Sequence, residues 1–113
     1  MSERITSFAA FWRFYVAEHR NSLNRRLHFV GTTLGLLLGL AALFTQRWWL
    51  LALTPLAGYG FAWVGHFLVE RNRPAAFRQP LYSLMADFLM YGKTWAGAMD
   101  EEVRRLVDER AAA

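Results

Sequence analysis

Two long apolar stretches separated by a short polar break dominate the pattern of this chain. Residues 29–45 and residues 48–69 contain about 17 and 22 consecutive positions without a charge. A helix needs about 20 apolar residues to span a bilayer. The break at Gln46 and Arg47 is followed by two tryptophans, which are typical of a membrane–water interface. The pattern therefore predicts a transmembrane helical hairpin.

The segment before the hairpin has aromatic residues at helical spacing. Phe8, Phe11, Trp12, Tyr15 and His19 recur on one side of a helix over residues 7–19. This predicts an amphipathic N-terminal helix, and the simplest interpretation is a helix lying in the membrane interface. We expect a polar elbow, residues 19–28, to connect it to the first span.

The segments after the hairpin are less regular. Residues 81–99 carry an apolar stripe that Asp87 and Lys93 interrupt, which predicts a membrane-embedded, re-entrant or interfacial third helix. Residues 100–113 pair acidic with basic side chains at helical spacing and predict a short soluble helix as a solvated tail. The fold class is thus an all-α integral membrane helical bundle forming a single domain over residues 1–113.

Composition and charge support a membrane protein. The 113 residues are 55% hydrophobic and 16% aromatic, with a net charge of +4. A basic balance suits nucleic acid or an anionic membrane surface, but the arginines flank the apolar stretches, so we expect a lipid bilayer and no nucleic acid as partner. The absence of cysteine excludes a disulfide framework, a thiolate metal site and a cysteine nucleophile.

The positions of the arginines predict the orientation of the hairpin. Only Arg47 lies between the two stretches, whereas several arginines precede the first and follow the second: Arg20, Arg25, Arg26, Arg71, Arg73 and Arg78. By the positive-inside tendency both ends of the hairpin are cytoplasmic, in the inner membrane if the protein is bacterial and in the endoplasmic reticulum if it is eukaryotic. The first residues, MSERITSF, lack the pattern of a cleaved signal, so we expect no processing.

The three histidines are the first candidates for chemistry. His28 begins the first stretch and His66 ends the second, so an antiparallel hairpin brings them to the same side. A short elbow brings His19 over the same place, and Glu70 and Asp87 are close in sequence to this edge. Imidazole with carboxylate is a ligand set of non-haem Fe(II) proteins. The alternative is a set of boundary histidines that bond lipid headgroups, and no metal motif such as HExxH is present.

Small residues on both stretches predict close helix packing. Gly31, Gly35 and Gly39 are spaced at four residues on the first, as are Gly58 and Ala62 on the second. If these faces pack against each other within the hairpin, we expect His28 and His66 to point into the interface between the two helices. A homo-oligomer contact through Gly31, Gly35 and Gly39 is a further use of the same stripe.

The other polar residues near this edge have two interpretations each. Arg25 either binds an anionic substrate head or anchors to lipid headgroups. Asn24 and Asn72 either orient ligands and substrate or cap helices. Asp87 is a ligand, a partner of a histidine or a counter-ion of an arginine.

Two motifs resemble the small membrane-protein family of the fungal 2-hydroxy fatty acid dioxygenase. They are HRNSLNRRLHFVGT at residues 19–32 and GYGFAWVGHFLVERNRPAAFRQPLYSLMADFLM at residues 58–90. The resemblance extends from about Phe8 to Met90 and leaves the acidic tail uncovered.

The resemblance implies an Fe(II)-dependent enzyme of fatty acid α-oxidation, which uses O₂ to shorten a long-chain 2-hydroxy fatty acid by one carbon. The family's histidines, thought to hold the iron, match His19, His28 and His66, and its acidic positions match Glu70 and Asp87.

In the mechanism that we expect, Glu70, Asp87 and Arg25 act in catalysis, and Arg25, Asn24 and Asn72 bind the substrate head. Two alternatives are kept open. One is a b-type haem electron-transfer protein with His28 and His66 as axial ligands. The other is a non-enzymatic lipid-binding or helix-packing protein.

Overall fold

The computed structural model describes residues 5–108, and within that range the regular structure is helical, with no strand. Five α-helices follow in chain order: α1 (Phe8–Ala17), α2 (Ser22–Thr45), α3 (Leu53–Val64), α4 (Pro80–Trp95) and α5 (Met99–Val103). Four shorter helical segments extend or connect them: the 3₁₀ segments Trp48–Ala52 and Ala75–Phe77 and the π-helical segments Gly65–Glu70 and Arg104–Asp108. The all-α class is confirmed.

Helices α2 and α3 form the predicted hairpin, and glycine lets them approach closely. A Cβ on Gly31 would lie 2.9 Å from the carbonyl oxygen of Ala57 and 2.9 Å from the Cβ of Phe61. A Cβ on Gly35 would lie 3.3 Å from the carbonyl oxygen of Thr54, whereas one on Gly39 would meet nothing within 4 Å. Two of the three glycines thus serve packing within the chain, and an oligomer contact through the stripe stays a prediction that this packing does not support.

The first helix of the hairpin begins earlier than the pattern predicted. α2 starts at Ser22 because Asn21 caps it, accepting a hydrogen bond from the backbone N–H of Leu23 at 2.8 Å. The expected elbow over residues 19–28 is therefore wrong in extent. His28 lies inside the helix, in its second turn, rather than at the start of the span.

Two helical segments are long and apolar enough to cross a membrane. They are Ser22–Thr45 and Trp48–Glu70, with mean hydropathies of 1.9 and 1.2, and most of their residues are not buried by the rest of the protein. Phe44 is 80% exposed and Leu56 is 68% exposed. Contiguous apolar surface of this kind marks contact with a membrane or another protein. The 16-residue α4 is shorter than these segments.

The aromatic stripe of α1 lies in the protein core and not in a membrane interface. Phe11 and Tyr15 are fully buried, and they pack with Met90 of α4 and with Met99 and Val103 of α5. The interfacial interpretation of this helix is therefore wrong. Helical periodicity predicted the apolar face of α1, but it did not indicate that α4 and α5 would cover this face.

Part of the predicted tail packs against the same face. The indole nitrogen of Trp12 donates a hydrogen bond to the Glu102 carboxylate at 2.9 Å, and Glu102 and Val103 are buried. The expectation of a solvated tail over residues 100–113 is therefore wrong for this turn. Residues 109–113 lie outside the described residues.

Candidate metal centre

The three histidines meet in the interior of the protein. One ring nitrogen of each lies within 4.8 Å of the corresponding nitrogens of the other two. The exposed fractions of His19, His28 and His66 are 1%, 7% and 2%. Three different elements contribute them, namely the connection between α1 and α2, helix α2 and the π-helical segment after α3. The convergence predicted from the hairpin is present in the structure.

The hydrogen bonds of the Nδ1 atoms define the tautomers of His19 and His28. His19 Nδ1 lies 2.6 Å from the carbonyl oxygen of Tyr15, and His28 Nδ1 lies 3.0 Å from that of Asn24. A carbonyl oxygen can only accept, so each Nδ1 carries the proton. The Nε2 atom of each neutral ring then has a free lone pair.

The same reasoning applies to His66 through Asn72. The Asn72 amide nitrogen donates to the carbonyl oxygen of Glu18 at 3.0 Å, which fixes the orientation of the amide. Its Oδ1 therefore faces His66 Nδ1 at 2.6 Å and accepts the proton of that ring. The Nε2 atom of His66 is then unprotonated as well, and one ring nitrogen from each of the three histidines lies within 4.8 Å of the other two.

This donor set fits a divalent transition-metal ion. The Nε2 atoms of His19 and His28 are 3.2 Å apart, so their lone pairs repel each other unless a cation or a proton lies between them. Burial, reinforced by the two neighbouring histidines, holds the pKa of His19 well below its usual value and disfavours the protonated ring. Neutral imidazole suits iron, zinc, copper and nickel, so the set does not by itself select one metal.

The backbone around His66 has an unusual geometry. Residues Gly65–Glu70 form a π-helical turn that ends at Arg71, whose φ of 59° is left-handed. The N–H groups of Arg71 and Asn72 both bond to the carbonyl oxygen of His66. This places Asn72 beside the imidazole of His66. π-Helical turns occur frequently at functional sites.

A buried carboxylate and a tyrosine adjoin the histidines. The Tyr15 hydroxyl donates to Asp87 Oδ1 at 2.5 Å, and the Tyr15 ring stacks on His19 with 3.9 Å between centroids. Burial raises the pKa of Asp87 to about 6, although the Tyr15 hydrogen bond opposes the rise. Sequence reasoning found Asp87 but missed Tyr15. The position of Tyr15 in the aromatic stripe, one helical turn before His19, was the sequence feature that could have indicated its contact with the histidines.

Comparison with protein families identifies the chain. The family model described as 2-hydroxy-palmitic acid dioxygenase Mpo1-like matches residues 5–99. The chain belongs to this Mpo1-like family. The resemblance inferred from the two motifs is thereby confirmed, and the match includes the three histidines and both candidate carboxylates. No curated protein and no solved structure matches the chain significantly.

Glu70 of this Mpo1-like chain lies apart from the histidine nitrogens. Its carboxylate accepts a hydrogen bond from the backbone N–H of Asn21, the residue that caps α2. A negative charge is favourable at the positive end of a long helix. The observed contact therefore joins the end of the hairpin to its beginning, and a catalytic role of Glu70 stays a prediction.

Arg25 is buried and bonded to protein groups. Its guanidinium donates to the carbonyl oxygens of His19 and Arg20 at 2.9 and 2.8 Å and to Asp100 at 2.5 Å. These contacts hold the segment that carries His19. The Asn24 side chain is also buried, and its amide has no hydrogen-bond partner among the described residues. Substrate contacts of Arg25, Asn24 and Asn72 stay predictions.

An apolar cavity of about 230 Å³ opens beside the candidate metal centre, between α2, α3 and α4. His28, Tyr59 and Asp87 line both this cavity and the small space around the other two histidines. From them it extends along the hairpin toward Leu36 and Pro55. The candidate centre therefore adjoins a space that suits a hydrocarbon chain.

Proposed function

We propose that this Mpo1-like protein is an Fe(II)-dependent dioxygenase that shortens long-chain 2-hydroxy fatty acids by one carbon. The observation that carries the proposal is the convergence of three unprotonated Nε2 atoms, each fixed by an acceptor at its Nδ1. The name of the family supports the substrate class. The apolar cavity beside the histidines supports an acyl substrate.

The overall change balances without another reductant. A 2-hydroxy acid RCH(OH)COOH and O₂ give RCOOH, CO₂ and H₂O. The C1–C2 bond breaks, C1 leaves as CO₂, and the former C2 becomes the new carboxyl carbon. O₂ accepts the four electrons, so substrate and oxygen suffice as reactants.

The residues around the cavity have separate roles in this proposal. His19, His28 and His66 would hold the iron, which would supply the activation of O₂. Asp87, held by Tyr15 and lining the cavity beside His28, accepts the proton of the substrate 2-hydroxyl group. Burial excludes water from this reaction.

The polar residues around the histidines complete the proposal. Asn72 fixes the ring of His66 through its amide, and Arg25 fixes the segment of His19. On the basis of these contacts we assign Asn72 and Arg25 as positioning residues. Binding of the substrate carboxylate by Asn72, Arg25 and Asn24 is a separate prediction. A catalytic role for Glu70 is another.

The proposed location is the edge of a membrane. Most residues of the two apolar segments are not buried, and His28 and His66, which lie near the two ends of the hairpin, have their ring centroids 4.9 Å apart. The arginines flanking these ends support a cytoplasmic orientation. The acyl tail then lies among apolar side chains while the hydroxy-carboxylate head stays at the centre.

The experiment is a product analysis with labelled substrate. Wild-type protein in nanodiscs, supplied with Fe(II) and air, is given 2-hydroxypalmitate labelled with ¹³C at C1. We expect pentadecanoate and ¹³CO₂ in equal amounts, and loss of both in His66→Ala. Thr33→Val, which removes a hydrogen bond between Thr33 on α2 and Tyr91 on α4, is the matched control and keeps the activity. Absence of both products from the iron-loaded wild type would contradict the proposal.

The haem alternative has little support from the geometry. The space that all three histidines line is about 10 Å³, far smaller than a porphyrin, and His19 lies against His28 and His66. The non-enzymatic alternative predicts instead that His66→Ala leaves cellular function unchanged.

A further inference from the structure

The apolar cavity has one glycine at which a side chain can be added without moving a helix. Three glycines line it: Gly31, Gly35 and Gly58. A Cβ on Gly31 or Gly35 would press against α3, as described above. Gly58 lines the cavity, and a Cβ there would meet nothing within 4 Å, so this position has room for a side chain. Among the lining glycines, Gly58 is therefore the one at which a substitution could narrow the cavity.

The composition of the wall indicates which part of a ligand passes Gly58. Apart from His28 and Asp87, the lining of the cavity is mainly aliphatic and aromatic. Leu36, Leu84 and Phe88 are among these residues. A polar group would lose its hydrogen bonds with water there and find few replacements. A hydrocarbon chain is the occupant that this lining fits, with its polar head at the histidines.

The position of Gly58 along α3 sets a length scale. Gly58 lies eight residues before His66, which corresponds to about 12 Å along the helix. An extended chain advances about 1.2 Å per bond, since three backbone bonds span about 3.5 Å. The wall at Gly58 therefore lies beside roughly the tenth carbon of a chain whose head is at the metal centre.

We propose that Gly58 is a specificity-determining residue that admits long acyl chains past this point of the cavity. The inference rests on the proposed function for the identity of the head group. A side chain at position 58 fills the cavity and leaves room for short chains alone. The same substitution at Gly60, which also has open space around its Cβ but does not line the cavity, has no such effect.

The test measures binding rather than turnover. A fluorescent fatty acid bound to the protein in nanodiscs is displaced by 2-hydroxyoctanoate or by 2-hydroxypalmitate. We expect Gly58→Leu to weaken binding of 2-hydroxypalmitate at least about tenfold and to leave 2-hydroxyoctanoate within about twofold. Gly60→Leu is the matched control and keeps both affinities. Circular dichroism and metal content verify that each variant is folded.

The outcomes separate this inference from the proposed function. Wild-type protein that binds both acids but converts neither contradicts the proposed function, while a selective loss in Gly58→Leu still supports the role of Gly58. Equal affinities of Gly58→Leu and the wild type for the long acid, or an equal loss for both acids in a folded variant, would overturn the role of Gly58. If Gly58→Leu does not fold, Gly58→Ala is expected to show a smaller shift in the same direction, and an unchanged preference would overturn the inference.

Discussion

The Nε2 atoms of His19 and His28 lie 3.2 Å apart in the protein interior, and the Nδ1 atom of each ring donates to a backbone carbonyl. Two lone pairs therefore face each other at van der Waals distance. Repulsion between the two lone pairs destabilises the folded protein when the site is empty. A cation bound by both nitrogens would replace this repulsion with attraction. The positions of Tyr15 on α1 and Asn24 on α2 therefore determine which nitrogens of the two rings are available to a metal ion.

The hydrogen bond between Asn72 and His66 predicts an effect on metal affinity. Replacing Asn72 with alanine removes the acceptor that fixes the tautomer of His66, and loss of such a partner typically weakens metal binding about 10- to 100-fold. Asn72→Asp keeps an acceptor at this position and should restore much of the affinity. The measurement is a metal competition titration. Equal affinities of Asn72→Ala and wild type would show that the amide does not position the ring.

The contact of Gly31 with α3 predicts a change in stability. In Gly31→Ala the new methyl group meets the backbone of α3, so we expect the free energy of unfolding to fall by about 1–3 kcal/mol. Gly39→Ala, on the same helix with open space around its Cβ, is the control and should be neutral or slightly stabilising. Denaturant unfolding in mixed micelles measures both. A similar response of the two variants would contradict the close approach at Gly31.

The contacts of Glu102 predict a pH-dependent stability. Desolvation raises the pKa of this carboxyl, but hydrogen bonds from Arg105 and Trp12 and the nearby Lys93 outweigh it, so the net pKa is below the ordinary 4.5. The stabilisation is therefore complete above about pH 4.5 and is lost as the pH falls through the lowered pKa. We expect Glu102→Gln to lower the free energy of unfolding by about 1–2 kcal/mol at neutral pH and by less in acid.

The neighbouring Glu101 supplies the control for this prediction. It is exposed and pairs with Arg104 on the surface, where ion pairs contribute little. Glu101→Gln should leave the unfolding free energy within about 0.5 kcal/mol at each pH. A pH-independent difference between Glu102→Gln and the wild type would mean that packing alone, not the charge, holds the last helix in place.

The sequence carried enough information for the hairpin and for the meeting of the histidines. Two apolar segments with a short break can only return antiparallel, which brings His28 and His66 to one end. Small residues at four-residue spacing indicated the contact face, and Gly31 lies in it. The hairpin and its contact face could be predicted because the spacing of apolar and small residues is visible in the sequence itself.

The details of the centre depend on tertiary contacts that periodicity does not contain. The π-helical turn at Gly65–Glu70 moves Asn72 beside His66, and no propensity indicates that turn. Glu70 bonds to the cap of α2 because the hairpin closes there. The aromatic face of α1 was visible in the sequence, but the helices that cover it come from distant segments, so a membrane interface was an equally good partner for it.

Metal analysis of anaerobically purified protein tests the central claim most directly. Wild-type protein and His66→Ala are supplied with Fe(II), separated from free metal and analysed for bound iron together with their absorption spectra. The account predicts about one iron per chain in the wild type, loss of it in His66→Ala, and no Soret band in either. A wild type that retains no metal after supply of Fe(II), or a variant that retains as much as the wild type, would contradict the three-histidine centre.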